Sequence, residues 1–177
     1  MHIGAKSRTE QAKKEGYMTL DGFDIAILRA LQQDGAMTNA TLSERVNLSA
    51  SQCSRRRAAL EAASLIAGYS ARLDAAKLGF GFRAIVRVNL RSHGGGSESG
   101  FAKFIARCSE VRAAFSVSGD ADYIFDVRTP DLGSFAAFIH EQLLPHELVA
   151  QVRSEIVLKT LKDEPGVDLS RLPAPQR

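Results

Sequence analysis

Between Ser49 and Arg57 the run Ser-Ala-Ser-Gln-Cys-Ser-Arg-Arg-Arg gathers hydroxyls, an amide and guanidiniums within one short stretch. Side chains of these types exchange hydrogen bonds with base edges, and an arginine either pairs bidentately with guanine or clamps a phosphate. Helical spacing divides the stretch. Cys53, Leu60 and Ala63 fall on one side, leaving Ser51, Gln52, Ser54, Arg55 and Ala58 on the other. Arg57 extends the basic run, and between Glu44 and Arg72 arginines outnumber glutamates by three. Arg56 fits less well: it stands three positions after Cys53 and four before Leu60, on the inward stripe, and is expected to snorkel toward solvent. The plainer reading of this helix is a solvated charged face.

Helices must hold these residues in place. Ile27, Leu28 and Leu31 repeat at helical spacing after Asp24, predicting a first helix from Asp21 to Gln33, with Gly35 just beyond its end. Thr38 or Asn39 can cap a short second helix through Leu42 to Val46 that stops at Asn47. Ser49 and Gln52 are spaced as a capping box, and Leu48 can staple onto Cys53, so a third helix starts sharply at Ser49. The capping role of Gln52 competes with reading adenine. A short helix, a tight turn and a sharply capped helix make a helix-turn-helix, whose second member can enter the DNA major groove. Residues 66–73 alternate enough for a strand that either pairs as a wing or leads into a connector.

Beyond Phe80 the period changes from helical to alternating. Phe82, Ala84, Val86, Val88 and Leu90 alternate with Arg83, Ile85, Arg87 and Asn89, predicting a half-buried strand. A helix follows from Glu98 to Ser109, then a hairpin of Val111 to Val117 and Tyr123 to Val127 around the turn Ser118-Gly119-Asp120-Ala121. Asp131 can cap a last helix ended by Pro145, and Val149 to Lys159 gives the final strand. The order βαββαβ is the ferredoxin-like plan. Phe82, Phe115, Tyr123 and Phe125 share the helix-covered parity, whereas Arg87, Ser116, Asp126, Arg128, Arg153 and Glu155, with Ile85, Ile124 and Val157, occupy the other. RNA readers of this plan stack bases on exposed aromatics. Mixed charge and aliphatics suit pairing with a second copy of the chain instead.

The fold class is therefore α+β, an amino-terminal winged helix-turn-helix followed by a ferredoxin-like domain. The expected organisation is an extension over 1–18, a DNA-binding domain over 19–73, a linker over 74–81, the ferredoxin-like domain over 82–162 and a tail over 163–177. Length and charge agree with this. A chain of 177 residues, with 45% hydrophobic and 24% charged residues, can bury one or two cores, and a net charge of +3 confines any nucleic-acid contact to a local patch. Cys53 and Cys108 stand apart from any CxxC pair, and His140 and His146 are too poorly spaced for one ion, so no metal site is expected and both histidines read as surface residues. Gly94-Gly95-Gly96 lacks the lysine of a phosphate-binding loop and reads as a connection. The first seventeen residues lack the apolar run of a secretory signal or membrane span, which makes the cytoplasm the expected location and a membrane role unexpected.

From Leu20 to Lys162 the sequence resembles the leucine-responsive/asparagine-synthetase-C (Lrp/AsnC) family of transcription regulators. The resemblance rests on the order and spacing of Leu20 to Leu28, Leu48 to Cys53, Arg57 to Glu61, Ile66 to Tyr69 and Ser118 to Tyr123. It implies an amino-terminal DNA-binding domain, a ligand-sensing domain, dimers that assemble further, commonly into octamers, and an amino acid or related small molecule as effector, with no cofactor. Double-stranded DNA would be read by Ser51, Gln52, Ser54, Arg55 and Arg57. The effector site would lie at Ser118, Gly119, Asp120 and Asp122, with Ser154 a further position. There Gly119 can take positive φ and present backbone amides to a carboxylate, and Asp120 or Asp122 can accept from an ammonium group. Without the resemblance, the same turn is ordinary hairpin chemistry. Ala50 stands where the family often has proline, Ser64 where a glycine usually ends the recognition helix, and Arg56 where an aliphatic is usual. Two rival readings are a ligand sensor that does not bind DNA and an enzyme of the tetrapyrrole decarboxylase kind on the same architecture.

Overall fold

The computed structural model describes residues 20–91, 97–164 and 166–172. The extension over 1–18, the glycine cluster at 94–96 and the prolines at 173 and 175 lie outside the described residues. The chain divides into two compact units, residues to Ala71 together with those from Glu164 onward, and Arg72–Asp163. The carboxy-terminal segment thus groups with the amino-terminal helices.

The first unit is built on three helices, α1 (Gly22–Gln33), α2 (Asn39–Val46) and α3 (Ala50–Ala62). Asp21 caps α1 in a capping box with Asp24, since each side chain accepts from the other's backbone amide. Helix α1 passes directly into the extended Asp34, so Gly35 is not its left-handed terminator. Gly35 serves packing instead, because a Cβ there would stand 3.2 Å from the Tyr69 ring. Thr38 caps α2, which ends with Asn47 in the left-handed region at φ 56°. The box at Ser49 forms in full. Ile27, Leu31, Leu42, Val46, Cys53 and Leu60 close the core, with Leu48 and Ile66 packed against it.

Two details depart from the helical wheel. Ala63 is exposed and forms the C-cap of α3 rather than part of its buried stripe. Ser64 follows in the left-handed region at φ 56°, and its amide and that of Leu65 return to the carbonyls of Glu61 and Leu60, a Schellman ending made without glycine. Residues 66–73 join no ladder among the described residues, so they lead onward into the connector rather than pairing as a wing.

Past residue 164 the chain returns to α1. The Gln32 side chain donates to the Val167 carbonyl and accepts from the Val167 amide, both at 3.0 Å. Gly166 makes this possible: it sits at φ 102°, and a Cβ there would overlap the Gln32 side chain. A 3-10 turn, Leu169–Arg171, capped by Asp168, follows.

The second unit carries β1 (Phe82–Leu90), α4 (Ser97–Ile105), β2 (Val111–Ser116), β3 (Tyr123–Thr129), α5 (Leu132–Ala137) and β4 (Val149–Ile156). The strands form one antiparallel sheet in the order β2-β3-β1-β4, the ferredoxin-like arrangement. Helix α4 is shorter than its sequence suggests. It stops at Ile105 and gives way to turns through Arg107. Asp131 caps α5 through the Ser134 amide, and this bond, with others to Ser134 and Gly133, holds its carboxyl below the ordinary value. Beyond Ala137 the helix widens into a π-helical segment, Phe138–Leu143, which keeps Phe138, Ile139 and Leu143 all buried. These residues join Val86, Val88, Phe101, Phe125 and Val127 in the core. His140 is exposed, whereas His146 is half-buried, its ring 4.3 Å from Phe104 and 5.4 Å from Phe101, centroid to centroid.

A register shift in β2 reverses one expectation. Val111 faces Val127, but after a bulge at Arg112 the partners become Ala114 with Phe125, Phe115 with Ile124 and Ser116 with Tyr123. Phe115 therefore leaves the helix-covered side and stands 57% exposed on the open face beside Ile124, while Ser116 moves to the covered side. Arg83 pairs with Asp126, and Arg87 with Glu155, across that open face. The connector is ordered too. Asp74 accepts from the Lys77 amide, and the Gly79 and Phe80 amides close the turn onto Ala76 and Ala75.

Candidate functional site

The capping box decides where α3 begins and hence which of its side chains project. Ser49 Oγ accepts from the Gln52 amide at 3.2 Å, while Gln52 Oε1 accepts from the Ser49 amide at 3.0 Å. With Cys53 and Leu60 wholly buried, Ser51, Gln52, Ser54, Arg55 and Ala58 are exposed. Arg55 makes no ion pair among the described residues. Ser54 and Ala58 are short enough to let the helix approach a groove floor closely. Gln52 has committed its oxygen to the cap.

Arg57, assigned to the same basic run, is placed differently. Its guanidinium donates to the Met37 carbonyl at 3.0 Å, to Tyr69 Oη at 2.8 Å and to Glu61 at 3.3 Å, and it stacks 4.4 Å from the Tyr69 ring centre. Tyr69 Oη in turn donates to Glu61, and burial together with that acid pushes its phenol up. Arg57 therefore braces the end of α3 against the segment after it, apart from the exposed face.

Arg56 does not snorkel into solvent. It reaches back to α1, 2.7 Å from Asp24 and 2.9 Å from Asp21, with Phe23 5.5 Å beneath the guanidinium. Asp24 is nearly buried, so the pair supplies the charge that its inward position needs. Burial raises the Asp21 carboxyl, but the Asp24 amide and Arg56 outweigh it and hold the group below 3.8. The α3 face is thus set on α1 by a charged strut.

In the second unit the turn between β2 and β3 is fastened to the end of β1. The Asp122 amide donates to the Val88 carbonyl at 3.1 Å, Asp122 Oδ2 accepts from the Leu90 amide at 2.7 Å, and Asn89 holds the Asp120 carbonyl at 2.9 Å. Gly119 takes φ 144°, with open space where a Cβ would stand. Ser118 and the Asp120 carboxylate are exposed, whereas Asp122 is engaged in holding the strands. Ser154 lies apart, on edge strand β4 opposite Val86. Asn89 is the residue that sequence reasoning missed, and its signal was an amide inside an otherwise apolar and basic strand. Among the described residues no cluster of His, Cys, Asp or Glu could hold a metal, and no helix is long and apolar enough to cross a membrane.

The sequence signature of the AsnC-type helix-turn-helix domain matches residues 20–61, and that of the Lrp/AsnC ligand binding domain matches residues 83–167. A leucine-responsive regulatory protein of Rhizobium meliloti is 39% identical over 85% of this chain and 96% of its own length. The chain belongs to the Lrp/AsnC family. Its Lrp/AsnC relatives include a Bkd operon transcriptional regulator of Pseudomonas aeruginosa, 35% identical over 80% of this chain and 93% of that protein. Among solved structures, a Neisseria meningitidis transcriptional regulator in complex with L-Met superposes with TM-score 0.83 at 36% identity, covering 86% of this chain and 98% of that one. An AsnC family regulator from Agrobacterium tumefaciens gives TM-score 0.82 at 27% identity, covering 87% of this chain and 100% of that one. The protein is accordingly a transcriptional regulator with a helix-turn-helix DNA-binding domain and a ligand-binding domain of the Lrp/AsnC type.

Proposed function

We propose that this regulator reads its operator with the exposed face of α3 and responds to an amino acid bound at the β2–β3 turn. Arg55 is the base- or phosphate-contacting cation, and Ser51, Ser54 and the free end of Gln52 contribute hydrogen bonds. The observation that carries this reading is the Ser49-capped helix whose exposed positions are short, polar or cationic while its other arginines are tied into the domain. At the turn, Ser118, Gly119 and Asp120 offer a hydroxyl, backbone amides and a carboxylate to a zwitterion. Asp122 keeps the turn in place. The complex of the Neisseria relative with L-Met supports an amino acid as the class of effector.

Two copies pair through the open sheet face, and larger assemblies space the recognition helices along the duplex. The protein works by binding rather than catalysis, in the cytoplasm where its operator lies. A gel-shift titration against DNA upstream of its own gene tests the proposal. The wild type should bind selectively and lose affinity steeply with salt, and Arg55→Ala should weaken binding by about tenfold or more with the assembly intact. Equal affinity in the variant would remove Arg55 from the site, and effector binding without any DNA binding would favour the sensor reading.

A further inference from the structure

A groove of about 560 Å³ opens in the second unit at the end of the sheet away from the β2–β3 turn, within the size range of small-molecule sites. Leu73 and the connector's Leu78 and Phe80 give it an apolar wall, and Thr129 and Pro130 also line it. Arg112, at the bulge in β2, and Arg128, near the end of β3, both line it. Neither guanidinium has an ion pair or hydrogen bond among the described residues. The one acid in the lining, Glu110, receives Gln142 and Ser109 at 3.3 Å instead. Arg128 also faces Arg83 directly across the ladder, and the acids near Arg83, Asp126 and Asp163, are drawn to that residue. A net positive lining thus meets apolar side chains.

We infer that this groove, lined by the 74–79 turn and the guanidiniums of Arg112 and Arg128, binds a small monocarboxylate with an apolar body. The carboxylate would bridge the arginines by charge-assisted bonds and the hydrocarbon would cover Leu78 and Phe80. Two guanidiniums against the single Glu110 carboxylate leave the lining net positive, so a carboxylic acid is preferred over the amine of the same skeleton. The site is separate from the β2–β3 turn and does not depend on what binds there.

The test is calorimetry on the full chain with 4-methylpentanoate, L-leucine and 3-methylbutylamine, which share one branched skeleton, together with methyl NMR of Leu73 and Leu78. Saturable binding of 4-methylpentanoate with shifts at Leu73 and Leu78 is expected, as is no binding of the amine. Asp120→Ala should bind the acid as the wild type does, while Arg112→Ala/Arg128→Ala should lose about tenfold or more. Should the double variant fail to fold, the methyl shifts of the wild type decide alone. No saturable binding of the acid, shifts confined to residues 118–120, a groove covered by a second copy of the chain, or unchanged affinity in the folded double variant would each overturn the site.

Discussion

Arg56 shows how much one side chain depends on a partner that spacing along its own helix does not reveal. The wheel places it inward, and from α3 alone the escape to solvent is the only way to keep its charge hydrated. Asp21 and Asp24, 35 and 32 positions earlier, supply another way. Arg56→Ala leaves the nearly buried Asp24 without its cation and should cost about 1–3 kcal/mol, read as a lower denaturation midpoint of the first unit. The link to pH has a definite sign. Asp21 has its folded-state carboxyl below the ordinary 3.8, so its contribution is present above that value and is lost as pH falls through the depressed one. Asp21→Asn should therefore be less stable than the wild type at pH 7 and indistinguishable from it in strong acid, as urea melts across that range would show. A constant difference at every pH would contradict the linkage.

Elements were legible wherever capping and periodicity agreed. The box at Ser49, the Thr38 cap, the Asp131 cap and the alternation of β1 all stand in the sequence because each is local. The bulge at Arg112 was not, since one extra residue leaves the composition of β2 unchanged while moving Phe115 to the other face. The widening of the helix after Ala137 escaped for a similar reason: the helical period survives in the sequence, and only tertiary packing selects the π-helical turns. Ser64 gives the element-scale prediction. A side chain in the left-handed region costs about 1 kcal/mol relative to glycine, and Ser64 makes no side-chain bond among the described residues to offset it. Ser64→Gly should raise the thermal midpoint of the first unit by several degrees with DNA affinity unchanged. A fall in midpoint would mean that the Schellman ending carries no strain.

At the scale of the whole molecule, the antiparallel sheet is covered by helices on one side only, and the bulge adds an exposed phenylalanine to the bare side. Phe115 on edge strand β2 and Ile124 on β3 form an apolar pair there, with the Arg83–Asp126 and Arg87–Glu155 pairs beside it toward β4. That arrangement suits a self-complementary interface, in which the charged pairs set the register. Phe115→Arg should lower the molar mass in light scattering from a dimer or larger assembly to a monomer without changing the circular dichroism of the fold. An unaltered mass would place the pairing surface elsewhere. The βαββαβ plan was legible because its connections alternate periods along the chain, but the content of this face depended on a single inserted residue.

The bond between Gln32 and Val167 bears on the order in which the polypeptide takes shape during synthesis. Residues 166–172 leave the ribosome after everything from α1 to β4 has been made, so the helix-turn-helix can assemble its core early but gains its Val167 partner only after the whole sheet has been synthesised. A nascent chain halted just short of Gly166 would carry a folded reader whose Gln32 amide is still hydrated.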